Sequence, residues 1–315
     1  MSTRHLLDPD LLAMVDAFPD LSFHPGDLVE TRARLNAAMA NQAPLPEGVT
    51  REELWVPGLT GEPDVRCLLY RHGDTPVPSP VYLHLHGGGY VSGSPDSVEP
   101  RNAQVAAECG VIVVSVDYRL TPEHPFPAAH DDAYAILAWL NHEANALGID
   151  PRRIGVGGES AGGGLAASLA LTARDRAEFS FALQVLVNPM LDHRSGGSEA
   201  PGDRLLGEFV WRRKDNQDAW AAYLGGKAAT APAVPALAES LAGLPTTWLS
   251  TAALDLFLDE DLTYARRLLS SGVTTELRVY PAACHSFSMA ADAAVSRRFD
   301  RDHRDAIARL LGGLT

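Results

Sequence analysis

Short apolar runs alternate with longer amphipathic segments along most of the chain. The runs PVYLHLH (80–86), VIVVSVDY (111–118) and FALQVLVNP (181–189) have the length and the aliphatic content of buried strands. Further runs of this kind are RIGVGG (153–158), TTWLSTAAL (246–254) and TELRVY (275–280). Between them lie segments such as DDAYAILAWLNHEANALG, whose apolar residues recur every three or four positions, as in helices. The alternation predicts an α/β protein with a mostly parallel sheet between two layers of helices, and LWVPGL and DVRCLLYRHG as an antiparallel pair at one edge.

Two segments depart from this alternation. In the first segment, residues 1–50, four apolar residues share one helical face: Leu11, Leu12, Val15 and Phe18. A second helix is predicted over 27–40, and residues 191–243 later interrupt the alternation between two strands. Long insertions in compact domains are often lids, although both segments could equally dock on the core. We therefore predict an N-terminal helical cap segment over 1–50 and a catalytic domain over 51–315 that contains a cap or lid insertion at 191–243.

Composition and charge narrow the class of protein. Of the 315 residues, 46% are hydrophobic and 21% are charged, which is the balance of a folded globular protein. The net charge of −14 argues against nucleic acid or an anionic membrane as a partner, because both require a basic face. Three cysteines without a CxxC pair favour free thiols in a reducing compartment. With no signal-peptide pattern and no apolar run of membrane-spanning length, the sequence predicts a cytoplasmic location.

The segment RIGVGGESAGGGLAASLALTA (153–173) places a serine between a predicted strand and a predicted helix. Ser160 has a glycine two positions away on each side, which is the G-x-S-x-G pattern of a nucleophile on a sharp strand-to-helix turn. A dinucleotide-binding G-x-G-x-x-G beginning at Gly155 would need glycine in place of Ser160. A phosphate-binding loop would need lysine in place of Gly163. Ser160 is therefore the predicted nucleophile of an α/β-hydrolase.

A serine hydroxyl becomes a good nucleophile only when a base takes its proton and a carboxylate orients that base. In α/β-hydrolases the acid and then the histidine follow the serine along the chain. Three histidines follow Ser160 here: His193, His285 and His303. His193 precedes the strand that could hold the acid, and His303 lies in a charged C-terminal helix, where we expect its side chain to face solvent. His285, directly after the strand TELRVY and the residues PAAC, is the predicted base.

Four acidic residues follow the strand TTWLSTAAL: Asp255, Asp259, Glu260 and Asp261. The apolar run breaks at Asp255, which places this residue at the end of the strand. The other three fall at the start of the next helix, where capping and helix-dipole contacts explain acidic residues without catalysis. Asp255 is the predicted acid, and Asp259 is the main alternative.

The loop HGGG (86–89) follows the run VYLHL. Attack on an acyl carbon creates an oxyanion that requires N–H donors, and α/β-hydrolases supply them from such a loop and from the residue after the nucleophile. Gly87, Gly88 and Ala161 are therefore the predicted donors, because glycine allows the backbone to approach the substrate closely. His86 is expected to brace the loop rather than act as a base.

A metal site is not expected from the histidines. His84 and His86 would share one face of a strand, but no acidic or cysteine residue stands nearby in a spacing that zinc favours. The stretch NHEANA begins like H-E-x-x-H, yet Ala146 occupies the position of the second histidine.

Together these motifs resemble the hormone-sensitive lipase-like esterases, a branch of the α/β-hydrolase fold. The resemblance rests on the following segments: HLHGGGYVSGS (84–94), VDYRLTPEHPFPAAHDDA (116–133), GESAGGGLA (158–166), DLFLDED and CHSF. It implies hydrolysis of carboxylic esters with short to medium acyl chains, and it implies no cofactor. It also implies that the N-terminal segment forms part of a cap, and homodimers are common among such esterases.

Within the resemblance, the DYRL-x-PE stretch is expected to fix the loop architecture through ionic and hydrogen-bond contacts, made by these residues: Asp117, Tyr118, Arg119 and Glu123. The chain departs from the family pattern in two places. Leu256 replaces the usual proline after the acid, and Ser286 replaces the usual glycine after the histidine. Neither change removes a reacting group.

The sequence thus predicts a serine carboxylesterase that acts on a small-molecule ester through an acyl-enzyme. Two alternatives remain open from the sequence. One is a small-molecule receptor on the same fold that does not catalyse, because fold alone does not fix function. The other is the same chemistry applied to an amide or a lactone.

Overall fold

One sheet of eight strands forms the centre of the molecule. The computed structural model describes residues 2–19, 28–39, 44–200 and 202–313. The strands are β1 (Val49–Val56), β2 (Val65–His72), β3 (Ser79–Leu85), β4 (Ile112–Val116), β5 (Ile149–Glu159), β6 (Leu183–Val187), β7 (Thr246–Ala252) and β8 (Thr275–Tyr280). All six predicted strands of the alternating region are present, and the two runs before Pro80 form β1 and β2 as an antiparallel pair.

The strands lie in the order β1-β2-β4-β3-β5-β6-β7-β8. β2 is antiparallel to both β1 and β4, and the successive pairs from β4 across to β8 are parallel. The carboxyl ends of β3, β5, β6, β7 and β8 therefore meet at one edge of the sheet. At that edge Glu159 pairs with Val187, and Val187 pairs with Ser250. This is where open α/β sheets place their ligands.

Helices cover both faces of the sheet, as the sequence predicts. They are α1 (Leu12–Ala17), α2 (Leu28–Met39), α3 (Glu99–Glu108), α4 (Ala128–His142), α5 (Ala144–Leu147), α6 (Ala161–Arg176), α7 (Arg213–Leu224), α8 (Leu258–Ser270) and α9 (Ala294–Ile307). Helices α4, α6 and α8 pack into the core on one face, and α3 and α9 pack into the core on the other. Among the residues that the structure describes, no helix is both long enough and apolar enough to cross a membrane.

Strand β3 shows how the sequence builds two cores at once. Its side chains are buried throughout, because both faces of a parallel sheet are covered. Val81, Leu83 and Leu85 enter the core beside α4 and α6, whereas Tyr82 enters the core beside α3 and α9. Successive side chains of a strand point to opposite faces, so an unbroken apolar run serves both cores.

The N-terminal segment packs against the α/β core. Leu11 is fully buried in the core beside α9, and Phe18 packs near the Val210 and Leu254 side chains. The second predicted helix is α2, and the predicted end positions 27 and 40 lie outside the described residues. The predicted boundary at 51 falls inside β1.

Arg32 on α2 fastens this helix to the DYRL-x-PE region. Its guanidinium donates to the carbonyl oxygens of Val91 at 2.6 Å and Thr121 at 2.8 Å. It also pairs with the carboxylate of Glu123 through two contacts of 2.7 Å. Four contacts from a planar guanidinium fix both the position and the orientation of this helix turn.

The insertion at 191–243 contains α7 and is tied to the domain through Glu260. Burial raises the pKa of this carboxyl group well above its ordinary value. Its Oε1 accepts the N–H of Leu191 at 2.7 Å and of Asp192 at 3.3 Å, and its Oε2 contacts the Ser195 hydroxyl. Glu260 is therefore not simply a helix-start acid, as the sequence suggested, but an anchor between α8 and the start of the insertion.

His303 corrects a prediction. The sequence placed its side chain in solvent, but it is only 2% exposed. Its ring stacks on Phe299 at 5.5 Å and meets the Trp248 ring at 5.8 Å. The charged residues of α9 conceal a buried stripe at helical spacing, since Val295, Phe299, His303 and Ile307 lie four positions apart.

Candidate active site

Ser160 stands at the turn between β5 and α6. Its backbone has a positive φ of 55° with ψ −120°, a conformation that residues other than glycine rarely adopt. The chain can make this turn only because its neighbours are small. A Cβ on Gly158 would lie 2.1 Å from the carbonyl oxygen of Leu85, and one on Gly162 would lie 2.0 Å from the same oxygen. The two glycines of G-x-S-x-G therefore allow β3, β5 and α6 to pack closely around the serine.

Three side chains from separate strand ends meet at this turn. His285 Nε2 lies 2.9 Å from Ser160 Oγ, and His285 Nδ1 lies 2.6 Å from Asp255 Oδ2. Asp255 is fully buried, whereas Ser160 is 8% exposed and His285 is 4% exposed. A neutral imidazole in this position can accept the hydroxyl proton at Nε2 while Nδ1–H donates to the carboxylate. The structure thus brings the predicted nucleophile, base and acid together in one hydrogen-bonded row.

The residues beside the row hold its members in place. The N–H of Phe257 donates to Asp255 Oδ1 at 3.0 Å, and the Phe257 ring meets the His285 ring edge-on at 5.2 Å. Leu256, where the family pattern has proline, is buried. Ser286, where the pattern has glycine, has a φ of 57°, which explains why glycine is usual there.

The alternative acids are placed elsewhere. Asp259 is exposed at the start of α8, and Glu260 holds the insertion. Asp261 is fully buried, and burial raises the pKa of its carboxyl group well above the ordinary value. Among these acidic residues, the contact to His285 is made by Asp255.

The HGGG loop passes beside Ser160. A Cβ on Gly87 would lie 3.6 Å from the Ser160 Cβ, which places the loop backbone against the nucleophile. Gly88 has a φ of 123°, and a Cβ there would lie 2.1 Å from the carbonyl oxygen of Ser92. Both features require glycine. In the described part of the chain, no backbone hydrogen bond outside the helices and strands uses the N–H of Gly87, Gly88 or Ala161.

His86 braces this loop. Its Nδ1 lies 2.8 Å from the Gly87 carbonyl oxygen, and its ring stacks on Tyr118 at 4.1 Å. The Tyr118 hydroxyl in turn donates to the His86 carbonyl oxygen at 2.7 Å. Burial lowers the pKa of His86 to about 4, so the ring is neutral near pH 7. Its contacts hold the loop, as the sequence analysis expects.

The other residues of the DYRL-x-PE stretch make the ionic contacts that the resemblance implies. Asp117 pairs with Arg66 at 3.1 Å, and Arg119 pairs with Asp132 at 2.8 Å. With Glu123 bound to Arg32 on α2, the stretch joins the loop region to β2, α4 and the N-terminal segment.

Glu159, directly before the nucleophile, belongs to a partly buried polar group that the sequence analysis did not single out. Its Oε2 lies 2.9 Å from His84 Nε2, and its Oε1 lies 3.6 Å from Arg101. Burial alone would raise the pKa of Glu159, but its interactions with His84 and Arg101 outweigh that effect and hold the pKa at about 2. Among the described residues, no group of three or more His, Cys, Asp or Glu side chains is arranged to hold a metal ion.

Ser160 opens into a cavity of about 650 Å³. Its apolar lining, called the apolar wall below, includes Phe18, Trp211 and Met289, and its charged lining includes Arg101 and Asp300 from α3 and α9. A cavity of this size accommodates a small organic molecule. The apolar wall comes partly from the N-terminal segment and partly from the insertion.

Comparison with known protein families matches residues 82–289 to a family described by the alpha/beta hydrolase fold. Carboxylesterase NlhH of Mycobacterium tuberculosis is 35% identical over 291 residues, which are 89% of this chain and 88% of that protein. Among solved structures, a bacterial heroin esterase has a TM-score of 0.91 and 40% identity, covering 98% of this chain and 99% of that chain. Esterase LipW from Mycobacterium marinum has a TM-score of 0.85 and 34% identity, covering 98% and 96% of the two chains. The chain belongs to the α/β hydrolase family, which confirms the fold and the resemblance predicted from its motifs.

One residue of the site escaped the sequence analysis altogether. Asn188 follows β6, lines the cavity and donates from its side-chain amide to Asp255. The sequence signal for it is an asparagine between an apolar strand and Pro189, because asparagine is enriched in left-handed backbone at such ends.

Proposed function

We propose that this protein is a serine carboxylesterase in which Ser160 is the nucleophile, His285 the general base and Asp255 the residue that orients the base. The protein is a carboxylic ester hydrolase, since its relatives at 35% and 40% identity are named a carboxylesterase and a heroin esterase. The observation that carries the finer proposal is the continuous row of contacts, 2.9 Å from Ser160 Oγ to His285 and 2.6 Å from His285 to Asp255.

The reaction runs in two halves. Ser160 Oγ attacks the ester carbonyl carbon while its proton passes to His285 Nε2, and the imidazolium then gives that proton to the departing alcohol. This leaves an acyl group on Ser160. A water molecule repeats the sequence, giving its proton to His285 and its oxygen to the acyl carbon, and the carboxylic acid leaves as the serine is restored. Asp255 stays ionised throughout and stabilises the imidazolium.

The oxyanion of each tetrahedral intermediate is assigned to the N–H groups of Gly87, Gly88 and Ala161. These donors are held in place before substrate arrives, so no reorganisation is required when the charge develops. Loss of one such donor typically costs on the order of 10²–10³ in kcat.

The cavity supports a substrate of modest size. We propose esters with short to medium acyl chains, with the cap segment 1–50 and the insertion 191–243 supplying its apolar wall. A cytoplasmic location and assembly as a homodimer stay predictions from the sequence.

The proposal is tested by the variant Ser160→Ala with p-nitrophenyl acetate and butyrate. The wild-type enzyme should release nitrophenol, with a pre-steady-state burst if deacylation is the slower step. The variant should lose activity by at least about 10⁴-fold, because the nucleophile is absent. Ser168→Ala, which removes another buried hydroxyl of α6, is the matched control and should retain activity.

The outcomes separate the proposed function from its alternatives. Full activity in Ser160→Ala would refute the assignment of the nucleophile. No turnover of any ester by the wild type, together with tight binding of a small molecule, would favour a receptor. Faster turnover of matched amides or lactones than of esters would keep the same chemistry and change the substrate class.

A further inference from the structure

Asp255 accepts hydrogen bonds from other groups in addition to the one from His285. Its Oδ2 lies 2.6 Å from His285 Nδ1 and, at the same time, 2.6 Å from the side-chain nitrogen of Asn188. Its Oδ1 accepts the N–H of Phe257 at 3.0 Å. The same carboxylate oxygen that faces the base is therefore shared with a side chain that has not been given a role.

The identity of the Asn188 atom follows from chemistry. An ionised carboxylate only accepts hydrogen bonds, so the amide group must present its NH₂ to Asp255. Asn188 is 5% exposed and Asp255 is fully buried, which makes this an amide-to-carboxylate contact shielded from water. Hydrogen bonds to a charged group are stronger than those between neutral groups, and burial strengthens them further.

The backbone fixes the side chain in this position. Asn188 follows β6 with a φ of 44°, in the left-handed region that asparagine adopts more readily than most residues. Its N–H donates to the carbonyl oxygen of Ser250 on β7 at 2.7 Å. The peptide is thus held to the strand that leads into Asp255, and the ring of Pro189 restricts φ at the next position.

We propose that Asn188 is a positioning residue of the hydrolytic reaction, which acts through Asp255 by holding Oδ2 in place and by drawing off part of its negative charge. This inference rests on the proposed function of Ser160, His285 and Asp255. The carboxylate must orient the imidazole and also release it as a base of moderate strength. With Asn188 in place, Oδ2 is fixed between two donors, and it attracts the imidazolium less strongly than a carboxylate oxygen with a single partner would.

Two consequences can be measured separately. Removing the amide lets the carboxylate turn, which lowers kcat. It also leaves more charge on Oδ2, which stabilises imidazolium, so the acid limb of the kcat/KM profile moves to higher pH. Among the described residues, Asp261 from α8 and Cys284 beside the base interact electrostatically with Asp255, and Glu260 interacts with Asp261; burial raises the pKa of all three. They are common to wild type and variants, so a difference between profiles reports the pair itself.

The central variant is Asn188→Leu, which keeps the volume and removes the donor. We expect kcat for p-nitrophenyl acetate to fall about tenfold, the loss expected for one hydrogen bond to a charged group. KM should stay within about twofold, and the acid limb should rise by on the order of half a unit. Asn188→Asp, of the same shape, places a second carboxyl group against Asp255. Two such groups share one proton, and loss of that proton adds a negative charge beside the base, so the acid limb should move further, by roughly one unit or more.

Gln184→Leu is the matched control. Gln184 lies on β6, is fully buried and donates its side-chain amide to the Thr247 hydroxyl at 2.7 Å, away from Asp255. It should lose stability in the same way as Asn188→Leu, as judged by its melting temperature, while its kcat and its acid limb stay at the wild-type values.

The results are decisive in each direction. A kcat and a pH profile in Asn188→Leu that match wild type would overturn the positioning role, and so would a loss confined to KM, which would mean contact with substrate instead. If the leucine variant does not fold, Asn188→Asp provides the same comparison of profiles. Retained activity in Ser160→Ala would defeat the proposed function itself, whereas an inactive Ser160→Ala with an unaffected Asn188→Leu would defeat this inference alone.

Discussion

Two serines of the site adopt backbone conformations that favour glycine, and they do so for different reasons. Ser160, with a φ of 55°, must carry a hydroxyl at the turn, and the glycines around it relieve the crowding. Ser286, with a φ of 57°, makes no side-chain hydrogen bond within the described residues and directly follows the base. Its carbonyl oxygen accepts the N–H of Met289 at 3.0 Å. Of these two strained serines, one is required by the proposed chemistry and the other is strained without such a requirement.

At the residue scale we predict that Ser286→Gly stabilises the protein. A left-handed conformation costs a non-glycine residue roughly 1–2 kcal/mol, and part of the relief is offset by the greater freedom of glycine in the unfolded chain. We expect the free energy of unfolding to rise by about 0.5–1 kcal/mol, measured by denaturant titration. Ser288→Gly, two residues on and without a positive φ, is the matched control and should lower stability. An equal effect of the two changes would contradict this account.

At the scale of the elements, the insertion shapes the cavity by placing one indole on the HGGG loop. A Cβ on Gly89 would lie 2.4 Å from the edge of the Trp211 ring, so loop and ring are in direct contact. Trp211 donates from its indole nitrogen to Asn216 on α7 at 3.1 Å, and Val210 before it has a φ of 63°. A β-branched residue rarely takes that conformation, and it occurs here where the chain must turn the indole into the cavity wall.

We predict that Trp211→Leu widens the cavity and moves the preference to longer acyl chains. The ratio of kcat/KM for p-nitrophenyl octanoate to that for the acetate should rise by about tenfold, since a pocket distinguishes chain lengths by the space it leaves. Trp220→Leu, on α7 and packed in the core, is the control, and it should lose stability without changing the ratio. A ratio that stays constant in Trp211→Leu would mean that the insertion does not contact the acyl chain of the substrate.

At the scale of the whole molecule, acid stability depends on histidines buried without charge. Burial lowers the pKa of His303 to about 3 and that of His86 to about 4, against an ordinary value of 6.5. The unfolded chain therefore binds more protons than the folded one between these values. The contribution of these two histidines to the free energy of unfolding is fully present above pH 6.5. It decreases as the pH falls from 6.5 towards their pKa values in the folded state.

We predict that His303→Phe flattens this dependence. The ring it replaces is stacked among aromatic side chains, so phenylalanine suits the site. From pH 7 to pH 5, the loss in unfolding free energy should be smaller than in wild type by on the order of 2 kcal/mol, because one titrating group has been removed. Urea titrations at the two pH values measure it. His124→Phe, at an exposed position, is the control, and an equal pH dependence of His303→Phe and wild type would rule out the proposed contribution.

Much of the fold could be predicted because its signals are local. Buried parallel strands must be apolar on both faces, as in β3, and the elbow at Ser160 requires glycine at fixed positions. The prediction for His303 was wrong and the one for Glu260 was incomplete, because both depend on contacts that are not local. Which face of α9 is buried, and what the first turn of α8 touches, depend on segments far away in the chain, and a high density of charged neighbours hid both.

The sequence by itself determined the class of fold, the candidates for nucleophile, base and acid, and the glycine loop, because each depends on residue types in a fixed local order. The tertiary structure decided which groups meet. Only the convergence of strand ends brings His285 within reach of both Ser160 and Asp255, places Asn188 on the shared carboxylate oxygen, and sets Trp211 against Gly89. Hydrogen bonds form over about 3 Å, and no spacing along the chain specifies a distance of that size between residues dozens of positions apart.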